Sequence, residues 1–240
     1  MEEYLLIITA LIAEIIGTMA GFGSSTIFLP LALFFLDFNT ALAVVAILHI
    51  FGNVGRVFFF KKGLDIKLAI SFGIPGVLFA LVGASIIRSI PSDLLKAILG
   101  LFLVAYAIQS MKFNEIKFKP VLTTAVIGGG LSGFMAGLVG TGGAIRGAFL
   151  SSFNLDKSTY IATAASVAIL VDLTRLPVYI ANGFLSEKYY FYIPFLIFAA
   201  FTGSFIGKTI VSRIPQETFR KVVLVAIALV GVKFVIDFIF

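Results

Sequence analysis

Residues 137–150 read GLVGTGGAIRGAFL, a glycine-rich break followed by a short apolar segment carrying one arginine, Arg146. Glycine reaches backbone angles that a helix excludes, so a helix is expected to stop in this run and restart over about 144–153. A second break, GFGSST at 21–26, precedes another short apolar stretch at 24–36. Neither restarted segment reaches the roughly 20 helical residues that cross hydrocarbon. A bilayer tolerates such interruptions only where protein or a water-filled cavity satisfies the freed backbone groups.

The rest of the chain supplies the bilayer-spanning context. It has 240 residues, a mean hydropathy of +1.12 and 12% charged residues, against roughly 25% in soluble domains. Apolar stretches of near-spanning length occur at 4–22, 40–60, 67–87, 94–111, 120–139, 159–181, 188–211 and 218–240. The expected fold is an all-α polytopic membrane protein. With 27 Phe and no Trp, any interfacial aromatic belt is made of Phe and Tyr; Tyr4, Tyr106, Tyr179, Tyr189, Tyr190 and Tyr192 lie near segment ends. The absence of cysteine excludes disulfides, thiolate metal sites and thiol nucleophiles. The net charge of +6 is scattered between apolar runs, which reads as orientation signal and excludes a nucleic-acid stripe. The N-terminus opens on two glutamates and lacks a small-residue cleavage site, so it is read as a permanent first span.

The order of features repeats. GTMAGFGSSTIFLPL at 17–31 matches GFMAGLVGTGGAIRGAFL at 133–150, GNVGRVFFFKKG at 52–63 matches VDLTRLPVYIANG at 171–183, FGIP at 72–75 matches FYIP at 191–194, and IPSDLLK at 90–96 matches IPQETFRK at 214–221. Two homologous halves are expected, 1–112 and 120–240, joined by a cytoplasmic linker at 113–119. A duplicated layout with an interrupted helix in each half points to a secondary transporter with a midplane site between repeats. Two arrangements stay open: five crossings per half with inverted halves, or four with a re-entrant segment and parallel halves. Lys61, Lys62 and Lys67, then Lys112, Lys117 and Lys119, then Lys208, Arg213, Arg220 and Lys221 fall on one side, the cytoplasmic one, only in the inverted arrangement. Arg88, Lys96 and Lys188 vote against a clean rule.

The candidate anion-binding groups cluster at the breaks and on one helix face. A helix restarting after Gly23 or after Gly140, Gly142 and Gly143 would aim its unpaired amides and positive dipole end into the gap. Ser24, Ser25, Thr26 and Thr141 can cap the restarted helices or donate hydroxyls to bound oxygens. Gly128, Gly129, Gly130 and Gly133 read instead as a close-packing face. His49, Asn53 and Arg56 share one face at i, i+4, i+7, with Ala168, Asp172 and Arg175 as their counterparts. An intramembrane arginine costs about 2.5–3.5 kcal/mol on insertion scales, so Arg56 and Arg175 either face a cavity or snorkel; Asp172 is placed to pair with Arg175. Arg146 has no carboxylate within a helical turn. Its planar fork of donors suits an oxyanion, the alternative being a structural pair with Glu14 or Asp172. Glu14, His49 and Asp172 are the candidate ion-coupling groups, able to carry a coupling proton or cation.

At GFGSSTIFLPL and GLVGTGGAIRGAFL the chain resembles the sulfite exporter TauE/SafE family of membrane transporters, and the resemblance covers nearly its whole length. Ser24 and Ser25 stand where glycines are common in the family, and Gly147-Ala148 where proline is frequent. The resemblance implies transport of a small sulfur-containing oxyanion or organic anion, such as sulfite, a sulfonate or sulfoacetate, across a bacterial or archaeal inner membrane. It carries over to Gly23, Ser24, Ser25, Gly140, Thr141, Gly142, Gly143 and Arg146. The expectation is an ion-coupled secondary transporter with no cofactor and no bound metal, a lipid bilayer around it and a homodimer as one possible assembly. The second reading is a passive anion channel. With one histidine, no cysteine and no serine-base pattern, an enzyme is not expected.

Overall fold

The computed structural model describes residues 2–20, 23–112, 118–210 and 216–240. Gly21 and Phe22 of the first break, residues 113–117 of the linker and Arg213 lie outside the described residues, as do the side chains of Lys62, Lys112 and Arg220. The protein is all α-helical in its described part, with α1 (Glu2–Ala20), α2 (Ser25–Ala32), α3 (Phe38–Phe60), α4 (Ile66–Ile86), α5 (Ser92–Lys112), α6 (Leu122–Val139), α7 (Gly143–Ser151), α8 (Lys157–Ala181), α9 (Ile193–Ile210) and α10 (Gln216–Ile239). Among the described residues, 6 segments are long and apolar enough to cross a membrane: Phe38–Phe60, Ile66–Ser89, Ser92–Met111, Leu122–Val139, Lys157–Ala181 and Glu187–Ile210. The first expected span forms as α1, whose apolar part, Tyr4–Met19, is shorter, and the last forms as α10.

The two breaks fall where the glycines put them. α6 ends on Gly140 in the left-handed region (φ 79), its N–H returning to the Ala136 carbonyl, and α2 is preceded by Gly23 at φ 88, both conformations that favour glycine. The chain then folds back sharply. A β-carbon at Gly142 would stand 1.9 Å from the Ser132 carbonyl oxygen, and one at Gly17 would stand 2.4 Å from the Ser24 α-carbon. α7 therefore returns along α6, with Phe149 against Gly128.

Close approaches give the helix directions. Gly203 and Gly207 of α9 lie against Glu14 and Thr18 of α1, and the rings of Phe201 and Phe205 meet Phe51 and Phe59 of α3, so α1, α3 and α9 run the same way. Gly129, Gly133 and Gly137 of α6 lie on Phe72, Gly76 and Ala80 of α4, while Gly73 and Gly76 meet Leu170 and Val171 of α8, so α4, α6 and α8 also run together. The two sets oppose each other: the Ser158 hydroxyl, at the start of α8, donates to the Phe60 carbonyl at the end of α3. α5 crosses α10 where Gly100 and Gly231 each face the other's carbonyl. Substituting every helix of α1–α5 by the one five places later, and the reverse, turns α1 on α9 into α6 on α4 and α3 on α9 into α8 on α4. It leaves the α3–α8, α5–α10 and α2–α7 contacts in place and exchanges the shared direction of α1, α3 and α9 for the opposite one of α6, α8 and α4.

The glycine run 128–133 is a packing face, as read. Carbonyl oxygens of α4 occupy the places where side chains on Gly129 (2.3 Å) and Gly133 (2.0 Å) would begin. Helices in lipid gain little from hydrophobic burial and associate through such close fits.

Candidate functional site

Aspartates start both central helices. Asp37 accepts from Thr40 N (3.0 Å) and starts α3; Asp156 accepts from Ser158 N (3.0 Å) and Thr159 N (3.1 Å) and starts α8. The Thr159 hydroxyl, which also donates to this carboxylate, and then the backbone N–H groups hold the Asp156 carboxyl below the usual carboxylate range. From these caps the two helices run antiparallel through the middle of the molecule and bring their polar faces together.

On α3, Arg56 turns inward and is buried (4% exposed). Its Nη2 pairs with Glu14 Oε2, its Nε donates to Thr18 Oγ1 (3.0 Å) and its Nη1 to Asn53 Oδ1 (2.8 Å). Snorkelling is thereby ruled out, because the guanidinium is held from α1 and from its own helix. Ser24 Oγ donates to Glu14 Oε1 (2.7 Å), so both carboxylate oxygens are engaged. On α8, Asp172 Oδ1 accepts from Arg175 Nε (2.8 Å), as the spacing predicts, and Oδ2 lies 2.7 Å from His49 Nδ1. Arg175 Nη1 and the Tyr179 hydroxyl both donate to the Ala136 carbonyl, and Tyr179 also to that of Gly137. The Ala136 carbonyl also receives the Gly140 N–H, whereas the Gly137 carbonyl is one that the end of α6 leaves without a helical donor.

The hydroxyls at the breaks do something other than cap. Neither Ser24 nor Gly142, the residues preceding α2 and α7, makes a side-chain cap bond. Ser24 is taken by Glu14, and Thr141 Oγ1 sits 2.9 Å from Thr26 Oγ1 and 3.4 Å from Ser25 Oγ. Serine and threonine here tie the two breaks to each other, because hydroxyls facing across a dry gap satisfy one another more cheaply than either stays open.

Arg146 is the exception. It is buried (4% exposed) on α7, and its guanidinium makes no hydrogen bond or ion pair among the described residues. The two structural partners considered for it, Glu14 and Asp172, are committed to Arg56 and to Arg175 with His49. It lines a small cleft of about 20 Å³ with Gly17, Thr18, Gly23, Asn53, Arg56 and Gly143. Gly147, Tyr160, Ile161, Ala164 and Ala165 complete the wall. Of the sequence-derived site residues, Gly23, Asn53, Arg56, Gly143 and Arg146 reach the cleft. Ser24, Ser25, Thr26, Gly140, Thr141, Gly142 and Arg175 form the joint behind it. Thr18 and Tyr160 are the polar groups that sequence reasoning missed. Thr18 reaches the cleft from α1 and Tyr160 from α8, and neither carries a motif.

Counting the buried charges, Arg56, Arg146 and Arg175 face Glu14 and Asp172; with His49 neutral, one positive charge is left uncompensated. No group of three or more His, Asp or Glu suited to a metal ion occurs among the described residues.

The sequence signature described as sulfite exporter TauE/SafE matches residues 6–234. The chain belongs to the sulfite exporter TauE/SafE family. It is also 30% identical over 164 residues to a probable membrane transporter protein of Methanocaldococcus jannaschii, a match covering 59% of this chain and 58% of that protein. The chain thus spans less than two thirds of the curated relative's length in that match. This TauE/SafE protein is a multi-pass membrane protein of a transporter family, and the unpaired guanidinium sits in the second glycine break that carried the resemblance.

Proposed function

We propose that this protein is a secondary transporter for a small sulfur-containing oxyanion or related organic anion, coupled to protons or another ion. The observation that carries the reading is Arg146: a buried guanidinium without a hydrogen-bond or ion-pair partner among the described residues, with Arg56 in the lining of the same cleft, where two interrupted helices meet. An ionised group in that position demands a counter-charge, and the excess of one positive charge suits a singly charged anion. The N-termini of α2 and α7 add positive dipole ends at the same junction. The resemblance to a sulfite exporter family supports the choice of oxyanion, and the probable transporter role of the archaeal relative supports transport.

The reading includes two homologous, inverted halves rocking about this site in an inner membrane. Its support is the exchange of helix packings described above, in which α1, α3 and α9 run opposite to their counterparts α6, α8 and α4. The short helices return the chain to the end from which α1 and α6 set out, so each set of five helices has odd parity.

Thermal-shift binding of the purified protein to sulfite, methanesulfonate, thiosulfate and small carboxylates tests the site. An oxyanion should stabilise the wild type. Arg146→Ala should weaken its affinity by about 10- to 100-fold, the range of a charge-assisted hydrogen bond, and Arg146→Lys by less. Near-normal binding by both variants defeats the proposal. Counterflow in proteoliposomes separates a carrier from a passive pore, because only a carrier exchanges labelled substrate against a gradient.

A further inference from the structure

The Nε2 atom of His49 is sealed from solvent and has no hydrogen-bond partner among the described residues. It lies against the first break, 3.3 Å from where a β-carbon on Gly23 would stand, and that same position is 3.9 Å from the Gly143 α-carbon at the second break. Both glycines line the Arg146 cleft. The other ring nitrogen is fixed: Nδ1 is 2.7 Å from Asp172 Oδ2. That carboxylate is held by Arg175 through its second oxygen and offers only lone pairs, so Nδ1 carries the proton. In the neutral ring Nε2 is then a bare lone pair beside the Gly23 backbone that walls the cleft. Once protonated, it is an N–H donor.

We infer that His49 is the coupling group of the proposed anion site, taking up one proton at Nε2 with each anion that enters between the two breaks. This rests on the anion-site reading above and adds to it the identity and stoichiometry of the coupling ion. The lone pair repels an anion oxygen, and the imidazolium attracts one. Protonation adds an N–H bond at Nε2, leaves the Nδ1–H···Asp172 bond intact and breaks nothing. On release at the other face the proton returns to water with the anion. The other candidates are occupied. Glu14 spends both oxygens on Arg56 and Ser24, and Asp172 spends both on Arg175 and His49. The charged groups around the ring are Asp172 on α8 with Arg175 behind it, Glu14 on α1 and Arg56 on the histidine's own helix. α2 contributes hydroxyls alone, from Ser24, Ser25 and Thr26, and α7 contributes Arg146 across the cleft.

Methanesulfonate is the probe, because its charge stays fixed over the range where imidazoles titrate, about pH 5 to 8. Its affinity for the wild type should fall as pH rises, approaching about tenfold per pH unit, the slope for one linked proton. His49→Gln, which keeps an N–H donor and cannot titrate, should bind less tightly than wild type at low pH with an affinity that no longer varies with pH. In proteoliposomes loaded with a pH-sensitive dye, an inward methanesulfonate gradient should acidify the lumen with wild-type protein. Methanesulfonate uptake without acidification overturns the inference while leaving the anion site standing, as does an unchanged pH slope in His49→Gln. Absence of methanesulfonate binding by the wild type overturns it outright. The dye measurement needs no variant, so a misfolded His49→Gln protein does not shelter the idea.

Discussion

Five charges that the bilayer would ordinarily exclude are buried here, and their pairing ranks what each substitution should do. Glu14 is fully enclosed, Arg56 is buried at the cleft wall, and the two are mutually satisfied. Removing one partner of such a pair costs about 3–5 kcal/mol because the other charge is left stranded. Glu14→Gln should therefore lower the unfolding temperature in detergent strongly. Tyr179→Phe removes one donor from carbonyls of which Ala136 keeps Arg175, and should cost only about 1 kcal/mol. An inverted order would mean the Glu14 pair is solvated. Arg146→Ala, by contrast, should leave unfolding unchanged or raised without anion, since it removes an unpaired buried charge. The i, i+3 spacing made Asp172–Arg175 legible in sequence, and the lack of a nearby carboxylate made Arg146 stand out. The Glu14–Arg56 pair was not legible: its members lie on helices brought together only by the packing of α1, α3 and α9.

At the scale of elements, glycines divide into those that let backbones touch and those that let the chain turn. Gly133 and Gly183 separate the two roles. A β-carbon on Gly133 would collide with the Gly76 carbonyl at 2.0 Å, while Gly183 has φ 76 and nothing within 4 Å of its missing β-carbon. Gly133→Ala must push α6 off α4 along their whole contact and should abolish monodisperse protein on gel filtration. Gly183→Ala meets only the left-handed backbone penalty, about 1–2 kcal/mol, and should remain monodisperse with a modest loss of thermal stability. The breaks themselves were readable because glycine clusters interrupt otherwise continuous hydropathy. The use of their hydroxyls was not, since whether Thr141 caps α7 or meets Thr26 depends on the other break's position in space. The paired helix starts at Asp37 and Asp156 carry a readable N-cap signal, an acid before a threonine-containing first turn, that the repeat comparison passed over.

At the scale of the molecule, the opposed directions of α3 and α8 make a sharp accessibility prediction, and the chain is suited to it because it contains no cysteine. Lys208 lies over the rings of Phe59 and Phe60 beside Lys61, and Ser158 meets the Phe60 carbonyl, so these basic positions share one end of the bundle. The hydrogen bond from Phe118 N to Ser152 Oγ adds the exposed Lys119 segment to that end. Asp37, at the start of α3, and Asn182, at the end of α8, sit at the opposite end. Basic residues concentrate on the cytoplasmic side of a membrane. Single cysteines at Lys61, Lys119 and Lys157 should therefore react with a membrane-impermeant maleimide only after the cells are opened, while cysteines at Asp37 and Asn182 should react in intact cells. The inverted reading stands on Asp37 and Lys157, which flank the starts of α3 and α8. Were the halves parallel, those two cysteines would label from the same side, and a chamber shared by two oppositely directed broken helices could not be built from this chain.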